Sequence, residues 1–156
     1  MPHWVIYHPE GAFPSEEARR ALTKDITALY ATPPTGMPAF YVIVNFVPQG
    51  TNDMWVGGDN QRAKNFVRIN IAHIHVRLPN SKEVYEGLTK KWSAALAPHL
   101  KGYDWEYHID ETERLLWHIN GLAPPEFKSE DEKVWVAENR AVVPEEMEEA
   151  RKRHKL

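Results

Sequence analysis

Pro2, directly behind the initiator Met1, is the residue whose position alone suggests chemistry. A small second residue permits removal of Met1, and the chain would then begin with a free secondary amine. An α-amino group titrates at about 8 in water. Apolar surroundings disfavour its cation and lower that value, which gives a general base suited to neutral pH. The plain alternative is that Met-Pro is an ordinary beginning with no chemical role. His73 and His75 offer a second chemistry, because alternate residues of a strand point the same way. With His118 as a third ligand they would form a metal site, although no obvious carboxylate partner accompanies them. Gly57-Gly58 reads as a turn rather than a phosphate cradle, since no helix start follows it.

Composition narrows the classes. The 156 residues suit one domain and include no cysteine, which excludes disulfides, thiolate metal sites and cysteine nucleophiles. A net charge of −3 gives no attraction to nucleic acid or an anionic membrane, and neither is expected as a partner. No run approaches the ~20 apolar residues of a membrane span, and no leader pattern stands at the start. A cytoplasmic protein without a cofactor is the expectation. Six Trp, six Tyr and eight His are enough to wall an aromatic pocket.

The elements that must position these residues follow from periodicity. His3 to His8 reads as a strand closed by Pro9-Glu10-Gly11. Ser15, with Glu16 and Glu17 behind it, opens a helix striped by Ala18, Leu22, Ile26 and Leu29 that stops before Thr32-Pro33-Pro34. Ala39 to Val47 is nearly all apolar and reads as a central strand covered on both faces. The order then repeats. Phe66 to Val76 is a strand with Val67, Ile69 and Ile71 on one face and Arg68 and Asn70 on the other. Asn80 and Glu83 resemble a capping box before the stripe Val84, Leu88, Trp92 and Leu96, and Tyr103 to Ile109 returns as a strand. Between the repeats, Met54 to Gly58 reads as a short strand leading into a turn.

The expected fold class is α+β, a single domain over 1–156. Two fused β-α-β units, about 2–50 and 64–110, form a four-stranded sheet with both helices on one face. The other face should stay apolar and be covered by oligomerisation. A C-terminal helical tail, about 111–156, completes the chain. Within it, 111–122 shows helical periodicity through Leu115 and Ile119, and Trp135 should anchor the tail to the body or to a neighbouring subunit. Pro144 to Leu156 reads as a solvated surface helix, acidic first and basic last.

Pro2 behind Met1, the paired units and an apolar sheet face together resemble the tautomerase superfamily. Pro14-Ser15, Asp25-Ile26-Thr27, Val44-Asn45-Phe46, Val56-Gly57-Gly58 and Trp105-Glu106-Tyr107 are similar to stretches of its cis-3-chloroacrylic acid dehalogenase-like branch. The resemblance covers about residues 2–125. It implies a homotrimer, a small carboxylate substrate, no cofactor, and proton transfer by the N-terminal proline. Carried over residue by residue, that proline is Pro2 and the strand tyrosine is Tyr107. The branch's helix-end histidine falls on Tyr30. Of its two clamping arginines, Arg77 matches one, and His73 or His75 stands where the other would be. Its water-positioning glutamate falls on or near His118, with Asn120 close by.

Proton transfer beside a carbonyl needs a base, an anchor and a donor for enolate charge. Under the resemblance, Pro2, Tyr107 and His118 are the catalytic candidates, and Arg77, His73 and Tyr30 bind substrate. Arg77's planar fork suits a carboxylate, and its charge would lower the basicity of Pro2. Each has a structural alternative: a surface ion pair for Arg77, a core aromatic for Tyr107, helix-end packing for Tyr30. The expected function is tautomerisation of a small unsaturated or keto carboxylic acid. The rivals are a cofactor-independent hydratase or dehalogenase of haloacrylate-like acids, a catalytically drifted binding protein, and a metal-binding module.

Overall fold

The computed structural model describes residues 2–74 and 76–156, so the expectation on His75 lies outside the described residues. Strand β1 (His3–Pro9) leads to helix α1 (Glu16–Ala31) and strand β2 (Ile43–Gln49). A one-turn helix α2 (Asn60–Ala63) precedes strand β3 (Phe66–His73), helix α3 (Lys82–Leu96) and strand β4 (Asp104–Glu111). Helices α4 (Glu130–Glu138) and α5 (Met147–His154) form the tail. The sheet order is β2-β1-β3-β4. β1 pairs with β2 in parallel and β3 with β4 in parallel, and the two units join through an antiparallel β1–β3 seam with His3 opposite Ala72.

Strict alternation in β1 and β3 sorts residues between the two sheet faces. Trp4, Ile6, Val67, Ile69 and Ile71 are fully buried beneath Leu22 and Ile26 of α1 and Trp92 and Leu96 of α3. Burial of each large apolar side chain contributes about 1.5–3 kcal/mol. Serines fix where the helices start. Ser15 Oγ accepts from the Ala18 N–H at 3.1 Å, and Ser81 Oγ from the Val84 N–H at 3.4 Å. The second cap is therefore Ser81 rather than Asn80, and its hydroxyl donates to Glu83 at 2.6 Å.

Several expectations are corrected. Ala39–Tyr41 forms a 3-10 turn, and β2 starts at Ile43 as an edge strand with alternate residues exposed. The apolar run was long because Phe40 and Tyr41 serve the tail, not the sheet. Tyr41 packs 4.9 Å from Trp117 and 6.2 Å from Trp135, and Phe40 lies 6.0 Å from Trp135, ring centre to ring centre. The open sheet face is mainly apolar only along β1 and β2, where Val5, Tyr7, Ile43 and Val47 stand beside His3 and Asn45. On β3 and β4 it carries Arg68, which bonds Glu106 at 2.8 Å and the His108 imidazole, while His108 Nε2 lies 2.9 Å from Asp110. Residues 54–58 make no strand; Val56 bridges Asp59 around Gly57-Gly58.

Residues 111–122 do not form one helix. Arg114–Leu116 is a single 3-10 turn, and Ile119 bridges Leu122 around Asn120 and Gly121, whose φ values are 52° and 80°. Two successive left-handed residues end any helical path, and only glycine adopts such a conformation freely. The last helix is a surface helix, acidic first and basic last as expected, and it also docks on α4. Arg151 pairs with Asp131, Arg153 and His154 reach Glu138 at 3.0 and 2.9 Å, and Ala150 is fully buried. Among the described residues no helix is long and apolar enough to cross a membrane.

Trp135, 2% exposed, is the residue through which the tail grips the body. A Trp135→Ala protein is expected to lose about 3–5 kcal/mol, measured as a lower urea midpoint at unchanged slope. An unmoved midpoint would mean that the tail stands outside the cooperative unit.

Candidate active site

Pro2 sits at the head of β1, where the seam ends. It is buried, and its carbonyl accepts from the Ile43 N–H at 3.0 Å. The β1–β3 register, carried one residue beyond the His3–Ala72 pair, sets Pro2 opposite His73. His73 ends β3 on the helix-covered face and is 6% exposed.

Behind this pair the two helices bring their rings together. Trp4 follows Pro2 on the same face, and its Nε1 donates to the Tyr30 hydroxyl at 3.1 Å. Tyr30 comes from the last turn of α1 and lies 6.0 Å from His73 and 5.8 Å from Trp92, between ring centres. Trp92, from the inner face of α3, is 5.3 Å from Trp4 and 5.8 Å from His73. Burial pushes the Tyr30 hydroxyl above the ordinary tyrosine range, and the Trp4 bond only partly offsets this. Tyr30 is therefore neutral at physiological pH. Its oxygen accepts from Trp4, which leaves its own proton for another acceptor.

Tyr30, His73 and Trp92 border a cleft of about 200 Å³. Leu29 and Met37 on one side and Leu88 and Phe127 on the other give it apolar walls, and Lys91 contributes a cation. Leu88, Lys91 and Trp92 share the cleft because residues three and four apart meet on one helix face. Glu111, the last residue of β4, stands in register with His73. Its Oε1 accepts from the Leu78 N–H at 2.7 Å and lies 4.0 Å from His73 Nδ1.

Of the candidates read from the sequence, the fold gathers Pro2, Tyr30 and His73 in one place. Arg77 is exposed and lines a separate depression of about 60 Å³ with Glu111, Glu113 and Arg114, although its neighbours Val76 and Leu78 both border the cleft. Tyr107 lies behind Trp92 at 6.4 Å, and its hydroxyl is engaged with α3, donating to the Thr89 carbonyl at 3.0 Å beside Ser93 Oγ at 3.1 Å. His118 is exposed next to buried Trp117. Among the described residues no group of three or more His, Asp or Glu is placed to hold a metal ion. Sequence reasoning missed Glu111, Lys91 and the role of Trp92. The helical stripe through Leu88 and Trp92 held a signal for Lys91, which lies beside it, whereas Glu111 depended on where β4 ends.

Known proteins share this fold. Residues 1–140 match the family described as a putative oxalocrotonate tautomerase enzyme. RhCC from Rhodococcus jostii RHA1 is 40% identical, aligned over 90% of this chain and 99% of that one, with a TM-score of 0.83. A probable enzyme from the thermophilic fungus Aspergillus fumigatus is 43% identical over 92% of this chain and 97% of its own, with a TM-score of 0.82. N1, a member of the cis-3-chloroacrylic acid dehalogenase family, has the same fold at a TM-score of 0.69 and 18% identity, over 96% of this chain and 99% of its own. Among curated proteins none matches. With two fused β-α-β units in one sheet and a family match over residues 1–140, the chain belongs to the tautomerase superfamily.

Proposed function

We propose that the protein is a tautomerase that uses Pro2, freed by removal of Met1, to move a proton on a small unsaturated or keto carboxylic acid. The observation that carries this reading is the burial of Pro2 opposite His73, at the end of the seam where Tyr30 and Trp92 close the cleft. A buried amine favours its neutral form and accepts the enol proton; returned to carbon, the same proton leaves the keto tautomer. In this reading the Tyr30 hydroxyl and His73 serve as donors to the developing oxyanion. Arg77 lines the neighbouring depression with Glu111, Glu113 and Arg114 rather than the cleft itself. Tyr107 supports Trp92 from behind, and His118 has no part within one protomer.

A homotrimer is the assembly we propose. Fused 4-OT proteins with this fold, 19% identical, are described as trimers. Leu115 and Leu116, 76% and 80% exposed, and the apolar half of the open sheet face are surfaces such an assembly would cover.

A second reading, hydration or dehalogenation of a haloacrylate-like acid, is favoured by one observation. Glu111 supplies a carboxylate 4.0 Å from His73, although the glutamate expected from the resemblance is replaced at His118. In that chemistry Pro2 would be the cationic acid and the His73–Glu111 pair would orient water.

Replacement Pro2→Ala is expected to lower kcat/KM for phenylenolpyruvate by about 10²–10⁴ with an unchanged circular dichroism spectrum; full activity in this variant would end the proposal. The titration of ¹⁵N-labelled Pro2, followed by NMR, separates the two readings. A midpoint below neutrality is expected, with kcat/KM rising as pH increases through it, because the deprotonated amine is the active form. A midpoint above neutrality would assign Pro2 as an acid and favour the hydratase.

A further inference from the structure

Lys91 has no part in the chemistry above, yet it lines the cleft with Tyr30, His73 and Trp92. Three other lysines are paired, Lys82 with Glu86 at 3.6 Å, Lys133 with Glu130 at 2.6 Å and Lys152 with Glu148 at 2.9 Å, and none of them lines the cleft. Lys91 has no carboxylate within ion-pair distance among the described residues. Arg77, in contrast, shares its depression with the carboxylates of Glu111 and Glu113. Lys91, on α3, is thus the ammonium among the residues that line the aromatic cleft.

We propose that Lys91 Nζ holds the substrate carboxylate, and that the cleft selects monocarboxylic keto or enol acids bearing an aryl or branched alkyl group. This rests on the reading of the cleft as the tautomerase site. The walls beyond Lys91 are Leu29, Met37, Leu88 and Phe127, which suit an apolar substituent. A second carboxylate on the substrate would lie against those apolar walls, where burying an unpaired charge is strongly unfavourable. At about 200 Å³ the cleft is smaller than the ~300–1,000 Å³ of drug-sized sites, so the acid is small. An ammonium is a point charge without the fork geometry of arginine, so it attracts the carboxylate without fixing its plane. Orientation of the reacting carbon then falls to the Tyr30 hydroxyl and the Trp92 face.

The test compares binding of 3-phenylpropionate with that of its neutral isostere 3-phenylpropanamide, measured by isothermal titration calorimetry on the full chain. The native protein is expected to prefer the acid by about tenfold to a hundredfold, the range of a hydrogen bond to a charged group. Lys91→Met should bind acid and amide equally, Lys91→Arg should restore the preference, and Arg77→Met should keep it. Lys91 is exposed, so these variants are expected to fold as the native chain does, checked by circular dichroism. A preference that survives Lys91→Met, one lost in Arg77→Met, or failure of the native protein to bind either compound would each overturn the assignment. The Pro2→Ala protein should retain the Lys91-dependent preference. Full turnover in Pro2→Ala alongside an intact preference would instead remove the proton-transfer reading and leave the anchor standing.

Discussion

The antiparallel pairing of β1 with β3 is the constraint from which the site follows. It joins two parallel units that would otherwise each leave one strand edge unsatisfied, and it buries Trp4 and Ile6 beside Ile69 and Ile71. The same register places Pro2 against His73. Because side chains alternate along a strand, a slip of one residue would turn Trp4 and the Pro2 ring to the open face. Core and site thus share one register, and the apolar packing that holds it is what keeps Pro2 in place. The helices depend on this as well. Tyr30 reaches the site because Leu22, Ile26 and Leu29 seat α1 on that core, and Trp92 because α3 is seated beside it.

The distribution of charge around the cleft supports this picture. Rings and aliphatic groups make most of its wall, with one ammonium at Lys91 and one carboxylate at Glu111 beyond His73. On the proposed reading, desolvation at the head of β1 disfavours a protonated Pro2. A site built instead on paired arginines would hold the acid more rigidly; here rigidity resides in the Trp4–Tyr30 bond and the ring packing behind it.

Much of the fold was legible because each β-α-β unit repeats a plain pattern. Strict alternation over Val67, Ile69 and Ile71 and the stripe Leu22, Ile26, Leu29 translate directly into β3 and α1. The errors arose where one apolar run served two partners. Phe40 and Tyr41 continue the hydrophobic pattern of β2 but pack against Trp117 and Trp135, and no local pattern reveals a partner so far along the chain. Leu115 and Ile119 have helical spacing, yet Asn120 and Gly121 turn the chain left-handed between them and Leu122. In the site, Pro2, Tyr30 and His73 were named from the sequence as residues, but only the register makes them neighbours. Lys91 and Glu111 were not named at all. Which face of α3 a lysine occupies, and how far β4 runs past Ile109, are settled by tertiary packing rather than by neighbouring letters.

The tail has a larger part than an appendage would have, because it contributes to the cleft itself. Phe127 provides an apolar wall, and the segment before it is held by Arg114. That guanidinium donates to the carbonyls of Pro124 at 2.6 Å and Pro125 at 2.8 Å and pairs with Glu126 at 3.0 Å. Glu132 Oε2 accepts from the Lys128 N–H at 2.6 Å, which fixes the other side of Phe127 to α4. Trp135 in turn docks α4 on Phe40 and Tyr41, just ahead of the strand whose Ile43 bonds Pro2. The chain from Trp135 through α4 to Phe127 therefore sets both the wall of the cleft and the footing of β2. The family match over residues 1–140 includes all of that segment and stops before α5. α5 in turn braces α4 from outside through the Arg151–Asp131 pair.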